Sequence, residues 1–364
     1  MKIAQVAPLM ESVPPRLYGG SERIVSYLTE ALVAEGHDVT LFASGDSVTA
    51  AHLDACCPRA LRLCQNVLDP IPHYMVMLDK VRRRAHEFDI IHFHIDQFQY
   101  PLFRDLSHRS VTTLHGRQDL PDLYPLYMHF KEMPLISISN AQRAPVPDAS
   151  FVATVQHGLP VDLLPRSLHS RGGYLAFLGR ISPEKRVDRA IRIARAVGLP
   201  LKIAAKVDKV DTEYFREEIE PMLGSADVEF VGEINERQKA RFLGDARALL
   251  FPIDWPEPFG LVMIEAMACG TPVLAFERGS VAEVIEEGVT GFIVSDEDEA
   301  VRKMGALLAL DRAAVRRRFE ARFTAERMAK DYVKVYKKLL AEADPLTRTR
   351  PAHVNGTAAV QEFN

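Results

Sequence analysis

The chain has 364 residues, 47% of them apolar and 26% charged, with 45 Lys and Arg against 49 Asp and Glu for a net charge of −4. This balance is that of a soluble globular protein of about two domains. It excludes a chain drawn as a whole to nucleic acid, and no apolar run approaches the ~18 residues of a membrane span.

The opening MKIAQVAPLMESVPP is too short and too weakly apolar for a secretory signal and reads as a first strand, residues 3–7. Short β-branched runs recur at 39–43, 90–94, 111–114, 135–139 and 152–156, with helical patterns between most of them. Ile24, Val25, Leu28 and Leu32 mark one such helical face. Cys56, Cys57, Cys64 and Cys269 form no CxxC pair, and adjacent cysteines bridge poorly, so a reduced, cytoplasmic chain is expected. The basic stretch KVRRRAHEF, residues 80–88, reads as a solvated helix face, with peripheral contact to an anionic membrane as the alternative.

Residues 160–171, rich in Pro, Ser and Arg, read as a hinge. A second strand series follows at 174–178, 201–205, 228–231, 248–251, 273–276 and 291–294, with a helical face on Val187, Ile191 and Ala194. A helix near 325–340 and a polar tail at 344–364 close the chain. Strand–helix alternation twice over predicts an α/β protein with two doubly wound parallel sheets. Ligands of such sheets sit beyond the carboxyl ends of strands, here between two domains.

Four candidate sites follow from the pattern. In YGGSERIVSYL, Gly19 and Gly20 open a helix and would let backbone approach an anion; a plain loop is the alternative. In LGRISPEKRVD, Ser182 suits an N-cap and Pro183 the first helical position, which places Lys185 in the first turn near Arg180. Two cations there oppose the helix dipole, at a cost of a few tenths to about 1 kcal/mol each, unless an anion such as a diphosphate joins them. In WPEPFGLVMIEAMACG, Pro258 keeps Glu257 in the loop, and a buried helix runs from about 260 to 269 with Glu265 as its one polar residue. An unpaired carboxylate in such a place costs several kcal/mol, so it needs ligand hydroxyls, an internal salt bridge or a proton. His115 and His157 each end a strand and precede a glycine. Two motifs are weaker. HFHID puts His92, His94 and Asp96 in reach of a metal without evident further ligands, and SDEDE, with Asp296 and Asp298, reads as a solvated helix start.

The stretches LGRISPEKRVD, FVGEINERQKARFLGDARALLFP, EPFGLVMIEAMACGTPVLAF and EVIEEGVTGFIV resemble the retaining glycosyltransferases of family 4 (glycosyl transferases group 1), of GT-B architecture. YGGSERIV, TLHG and HGLPVD match more loosely, and the resemblance covers roughly 1–340. It implies two Rossmann-like domains with an interdomain cleft: 1–165 on the acceptor side, 166–324 for the nucleotide sugar, and the last helix packed back on the first domain. It implies a metal-independent hexosyltransferase with no cofactor, taking a nucleotide sugar, UDP-glucose ahead of GDP-mannose, and an acceptor that is a glycan, a lipid or a small metabolite. Arg180 and Lys185 would neutralise the diphosphate, Glu265 would take the ribose hydroxyls, and Ile234 and Glu236 would flank the base. Backbone amides at Phe259, Gly260 and Leu261 would hold the sugar and phosphate, with Glu257 on the sugar hydroxyls and His115 near the reacting carbon. Gly19 and Gly20 would close over the phosphates. The chain departs from the pattern at AAKVDKVD, where a glycine-rich turn is usual, and at Ser280–Val281. A sugar-nucleotide epimerase of the same fold is the alternative function.

Overall fold

The computed structural model of the chain describes residues 1–16, 19–165, 167, 172–224 and 226–343. The expected tail at 344–364 and residues 166 and 168–171 of the expected hinge lie outside them. Among the described residues, thirteen strands form two sheets. The first contains β1 (Lys2–Val6), β2 (Asp38–Ser44), β3 (His52–Cys57), β4 (Ile90–Phe93), β5 (Ser110–Thr113), β6 (Leu135–Ser137) and β7 (Phe151–Thr154), in the order β3-β2-β1-β4-β5-β6-β7. The second contains β8 (Leu175–Ile181), β9 (Leu201–Val207), β10 (Val228–Gly232), β11 (Ala248–Phe251), β12 (Val273–Phe276) and β13 (Gly291–Val294), in the order β10-β9-β8-β11-β12-β13. Every pairing is parallel.

Both orders reverse beside their first strand: β1 lies between β2 and β4, and β8 between β9 and β11. At such a reversal the crossovers leave toward opposite faces, so the loops splay and a crevice opens beyond the carboxyl ends. The central strands are buried on both faces and read as apolar runs, as β4 does with IIHF. The strand that the apolar pattern does not announce is β3. It is an edge strand of mixed exposure, and its buried Asp54 is matched by Lys80 and Arg84.

One local expectation is corrected. Ser182 and Pro183 do not start a helix: β8 runs on to Ile181, residues 182–186 turn, and the helix is Val187–Ala196. The turn closes through the Lys185 N–H donating to the Ser182 carbonyl at 3.0 Å, while the Ser182 hydroxyl caps nothing. Arg186 takes the left-handed conformation, φ 53°, held by its guanidinium on Asp188 and Asp254. Arg180 therefore ends a strand, and Lys185 precedes the helix instead of opposing its dipole from inside the first turn.

The helix Leu261–Ala268 starts after Gly260, φ 78°, and ends in a Schellman turn: Thr271 N–H donates to Ala266 C=O and Gly270 N–H to Met267 C=O, each at 2.9 Å. The last helix, Ala325–Ala343, returns to the first sheet and packs beside the helix Gly20–Ala34. An apolar cluster that includes Ile3, Leu28, Met263, Phe319 and Tyr332 joins the two halves.

Candidate active site

The loops after β1, β4 and β5 face those after β8, β10 and β11 across a cleft of about 790 Å³. Of the residues expected at the site, Gly19, Gly20, His115, Arg180, Lys185, Ile234, Glu257, Phe259, Gly260, Leu261 and Glu265 all line it. Glu236 does not. It makes an ion pair with Arg23 of the first domain, and Glu233 lines the cleft beside Ile234.

Glu257 is held in its loop from three sides. Lys185 Nζ (2.6 Å) and Trp255 Nε1 (2.9 Å) both donate to its Oε2, and the Lys185 ammonium lies 4.4 Å from the Trp255 ring centroid. Its backbone carbonyl accepts from Ser280 N–H at 3.0 Å. That approach requires Gly279: φ is 56°, and a Cβ there would sit 2.3 Å from the Glu257 carbonyl oxygen.

Glu265 is 4% exposed, and its Oε1 accepts from Lys239 Nζ at 2.6 Å. Of the sequence alternatives, the internal salt bridge is the one observed. The pair lies on the cleft wall, and it is not isolated. Lys239 also stands 3.6 Å from Glu236, so a line of charges runs Arg23–Glu236–Lys239–Glu265 from one domain into the other. Arg180 is matched by Glu184 (2.8 Å), with Asp211 at 3.5 Å and Asp208 at 3.8 Å, and Lys206 by Asp208 at 2.9 Å. Four cations of the second domain, Arg180, Lys185, Lys206 and Lys239, thus line the same cleft as Gly260 and Leu261, where the helix Leu261–Ala268 starts. Gly20 meets that start closely: a Cβ on it would lie 3.6 Å from Leu261 Cδ1.

His115 belongs to a buried hydrogen-bonded layer. His94 Nε2 contacts Gln5 Oε1 at 2.8 Å, and His94 Nδ1 contacts His115 Nε2 at 2.9 Å. The Gln5 oxygen can only accept, so His94 carries its proton on Nε2. Its Nδ1 lone pair then accepts from His115 Nε2–H, which leaves a lone pair on His115 Nδ1, an atom buried without a protein partner. Burial pushes His115 down to about 4 and holds His92, His94 and His157 well below the usual histidine range, so all four rings are neutral at pH 7. His92 bonds Tyr336 and Thr113, each at 2.7 Å, so the last helix braces this layer. His157 stacks on His115 at 5.4 Å and meets Phe259 edge-on at 4.9 Å.

The HFHID residues His92 and His94 belong to this layer. Both nitrogens of His92 and of His94 are engaged by protein, and no group of three His, Cys, Asp or Glu among the described residues could hold a metal ion. Asp296 caps the helix Glu297–Leu308 by accepting from Glu299 N–H at 2.7 Å. In the basic stretch, Lys80, Arg82, Arg83 and Arg84 all face carboxylates: Asp54, Asp105, Asp79 and Glu87. No described helix is long and apolar enough to cross a membrane. Sequence reading missed Lys239, Glu22 and Trp255 as cleft residues. A signal existed for Trp255, the one tryptophan of the chain, two positions before Glu257.

Two family models match the chain: "Glycosyl transferases group 1" over residues 166–324 and "Glycosyltransferase Family 4" over residues 18–154. A glycogen synthase of Mycobacterium tuberculosis is 25% identical over 373 residues, covering 88% of this chain and 89% of that one. Among solved structures, AviGT4, a glycosyltransferase involved in avilamycin A biosynthesis, superposes with TM-score 0.68 at 25% identity over 93% of this chain and 98% of that one. The Anabaena protein HepE, solved in complex with UDP-glucose, shares the fold with TM-score 0.69 at 16% identity over 93% of this chain and 100% of that one.

Proposed function

This chain is a glycosyltransferase of family 4 with the GT-B fold, and from that premise we propose that it moves a hexosyl group from a nucleotide sugar to an acceptor hydroxyl, with retention of anomeric configuration and without a metal ion. UDP-glucose is the donor we favour, the ligand of the HepE neighbour, ahead of GDP-mannose. The observation that carries this reading is the wall of four cations, Arg180, Lys185, Lys206 and Lys239, lining the cleft into which the helix Leu261–Ala268 starts.

Glycosyl transfer loads negative charge onto the leaving diphosphate, and fixed cations with a helix N-terminus stabilise that charge as it forms. In this role the protein's own cations do what Mg²⁺ does elsewhere. Arg180 and Lys185 take the diphosphate, and the amides of Phe259, Gly260 and Leu261 support it. Glu265, fixed by Lys239, accepts from the ribose hydroxyls, and Ile234 flanks the base. Glu257, held by Lys185 and Trp255, orders the sugar hydroxyls. His115 is neutral at pH 7, so it positions the sugar by hydrogen bonding and does not supply a proton. Gly19 and Gly20 bring the first domain's loop against the second.

A thermal-shift panel of nucleotide sugars identifies the donor, because a ligand bound only by the folded state raises Tm. Transfer persists in EDTA and the product keeps the donor's anomeric configuration by NMR. Loss of activity in EDTA with recovery on adding Mg²⁺ would overturn metal independence. A new free nucleotide sugar formed without acceptor would overturn transfer in favour of epimerisation.

A further inference from the structure

On the transferase reading, the donor sugar lies between Glu257 of the second domain and His115 of the first, and both line the cleft. They stand on loops after β11 and β5, in different sheets, so no strand register sets their spacing. A hydrogen-bonded relay just past β6 joins the two loops. Gln142 is 4% exposed. Its Nε2 donates to the Leu114 and Gly116 carbonyls at 2.8 and 2.7 Å, and its Oε1 accepts from Ile138 N–H at 2.9 Å. One orientation of the amide serves all three bonds, because a flipped amide would set its oxygen against two carbonyls. Those carbonyls lie on either side of His115 in the chain, so Gln142 grips the His115 loop from both sides.

The relay then crosses between the domains. Gln142 N–H donates to Ser139 Oγ at 2.9 Å, and the Ser139 hydroxyl donates to the Pro258 carbonyl at 2.7 Å. Ser139 is fully buried, so its one proton is committed to the second domain. Pro258 directly follows Glu257, and its carbonyl shares a peptide plane with Phe259 N–H. A trans peptide is rigid, so gripping the carbonyl aims the Phe259 N–H away from Ser139. Arg180 and Glu265, assigned to the diphosphate and the ribose, are held by Glu184 and Lys239 of their own domain and do not depend on the relay. We propose that Ser139 and Gln142 are positioning residues for the transfer: they fix the His115 loop and the Glu257–Phe259 loop at one spacing, and so set the grip on the donor's sugar and not on its nucleotide. The inference rests on the transferase reading above. The same short helix, Asn140–Arg143, makes a second contact between the domains that touches neither sugar-facing loop. There the Glu283 carboxylate accepts from Asn140 N–H at 2.9 Å, Asn140 Nδ2 at 3.1 Å and Ala141 N–H at 2.7 Å.

The test is calorimetry on the full chain with the nucleotide sugar that the thermal-shift panel selects and with its free nucleoside diphosphate, read beside Tm. Ser139→Ala is expected to weaken binding of the nucleotide sugar about fivefold or more, while affinity for the diphosphate stays within about twofold. Gln142→Met, apolar and of similar length, is expected to show the same split. Glu283→Ala is expected to lower Tm and to leave both affinities within about twofold. Equal losses for the two ligands in Ser139→Ala, an unchanged nucleotide-sugar affinity in that variant, or the same split in Glu283→Ala overturns the proposal and leaves the relay as a contact that only joins the domains. Ser139→Ala removes a single oxygen, so it decides the matter by itself if Gln142→Met does not fold. Wild-type protein that binds no nucleoside diphosphate sinks the transferase reading itself, a failure distinct from that of the relay.

Discussion

At the scale of single residues, the Glu265–Lys239 pair combines a structural and a binding role, and the two can be separated. Both side chains are largely buried, 6% and 12% exposed. Removing one partner strands the other, which for a buried pair costs roughly 3–5 kcal/mol, whereas replacing both with apolar groups of similar size is often neutral or stabilising. Glu265→Ala is therefore expected to lower Tm and to weaken nucleotide binding at least tenfold. The double variant Glu265→Met/Lys239→Met is expected to recover Tm without recovering affinity. Thermal melts and calorimetry with UDP read the two effects independently. Wild-type affinity in the double variant would show that the pair serves only the fold.

At the scale of elements, the helix Leu261–Ala268 and the turn at Gly279 form one device, because the turn fixes the Glu257 loop that leads into the helix. Gly279→Ala drives a Cβ to 2.3 Å from the Glu257 carbonyl at φ 56°. Gly288→Ala has a similar φ, 73°, but nothing within 4 Å of the new Cβ. Left-handed backbone costs a non-glycine residue about 1–2 kcal/mol. Gly288→Ala should lose about that much with activity intact, and Gly279→Ala should lose more while turnover falls further than nucleotide affinity. Equal effects in urea melts and kinetics would refute the device. Such elements differ in how far sequence reveals them. The helix was legible because Gly260 and Gly270 punctuate an apolar run. The pairing of Glu265 was not, because Lys239 lies 26 residues away on another helix. The helix start at Val187 was hidden by a Ser-Pro-Glu stretch whose capping chemistry goes unused, and β3 by an edge position that needs no continuous apolar run. The wall of cations was partly legible: Arg180 ends β8 and Lys185 stands in the turn that follows, while Lys239 reaches the site only through the fold.

At the scale of the whole molecule, the histidine layer lies where the first sheet, the returning helix and Phe259 of the second domain meet, so its titration reports on the assembly of all three. Burial depresses the folded-state pKa of His92, His94, His115 and His157 below the unfolded value near 6.5. Between those values the unfolded chain binds more protons than the folded one, so stability rises with pH in that window. Acidification from pH 7 should accordingly remove stability from about pH 6.5 downward, with the His115 contribution running out near its folded value of about 4. Each proton of difference contributes about 1.4 kcal/mol per pH unit. Glu11 and Glu22, raised by burial, take up protons first in the folded state and offset part of the loss at the acidic end. Urea unfolding at steps between pH 7 and pH 5 should give a positive slope of unfolding free energy of more than one proton. His157→Asn should reduce that slope by about one proton. A flat profile across that range would mean that the rings are not neutral and buried, and would remove the argument that His115 presents a lone pair to the cleft.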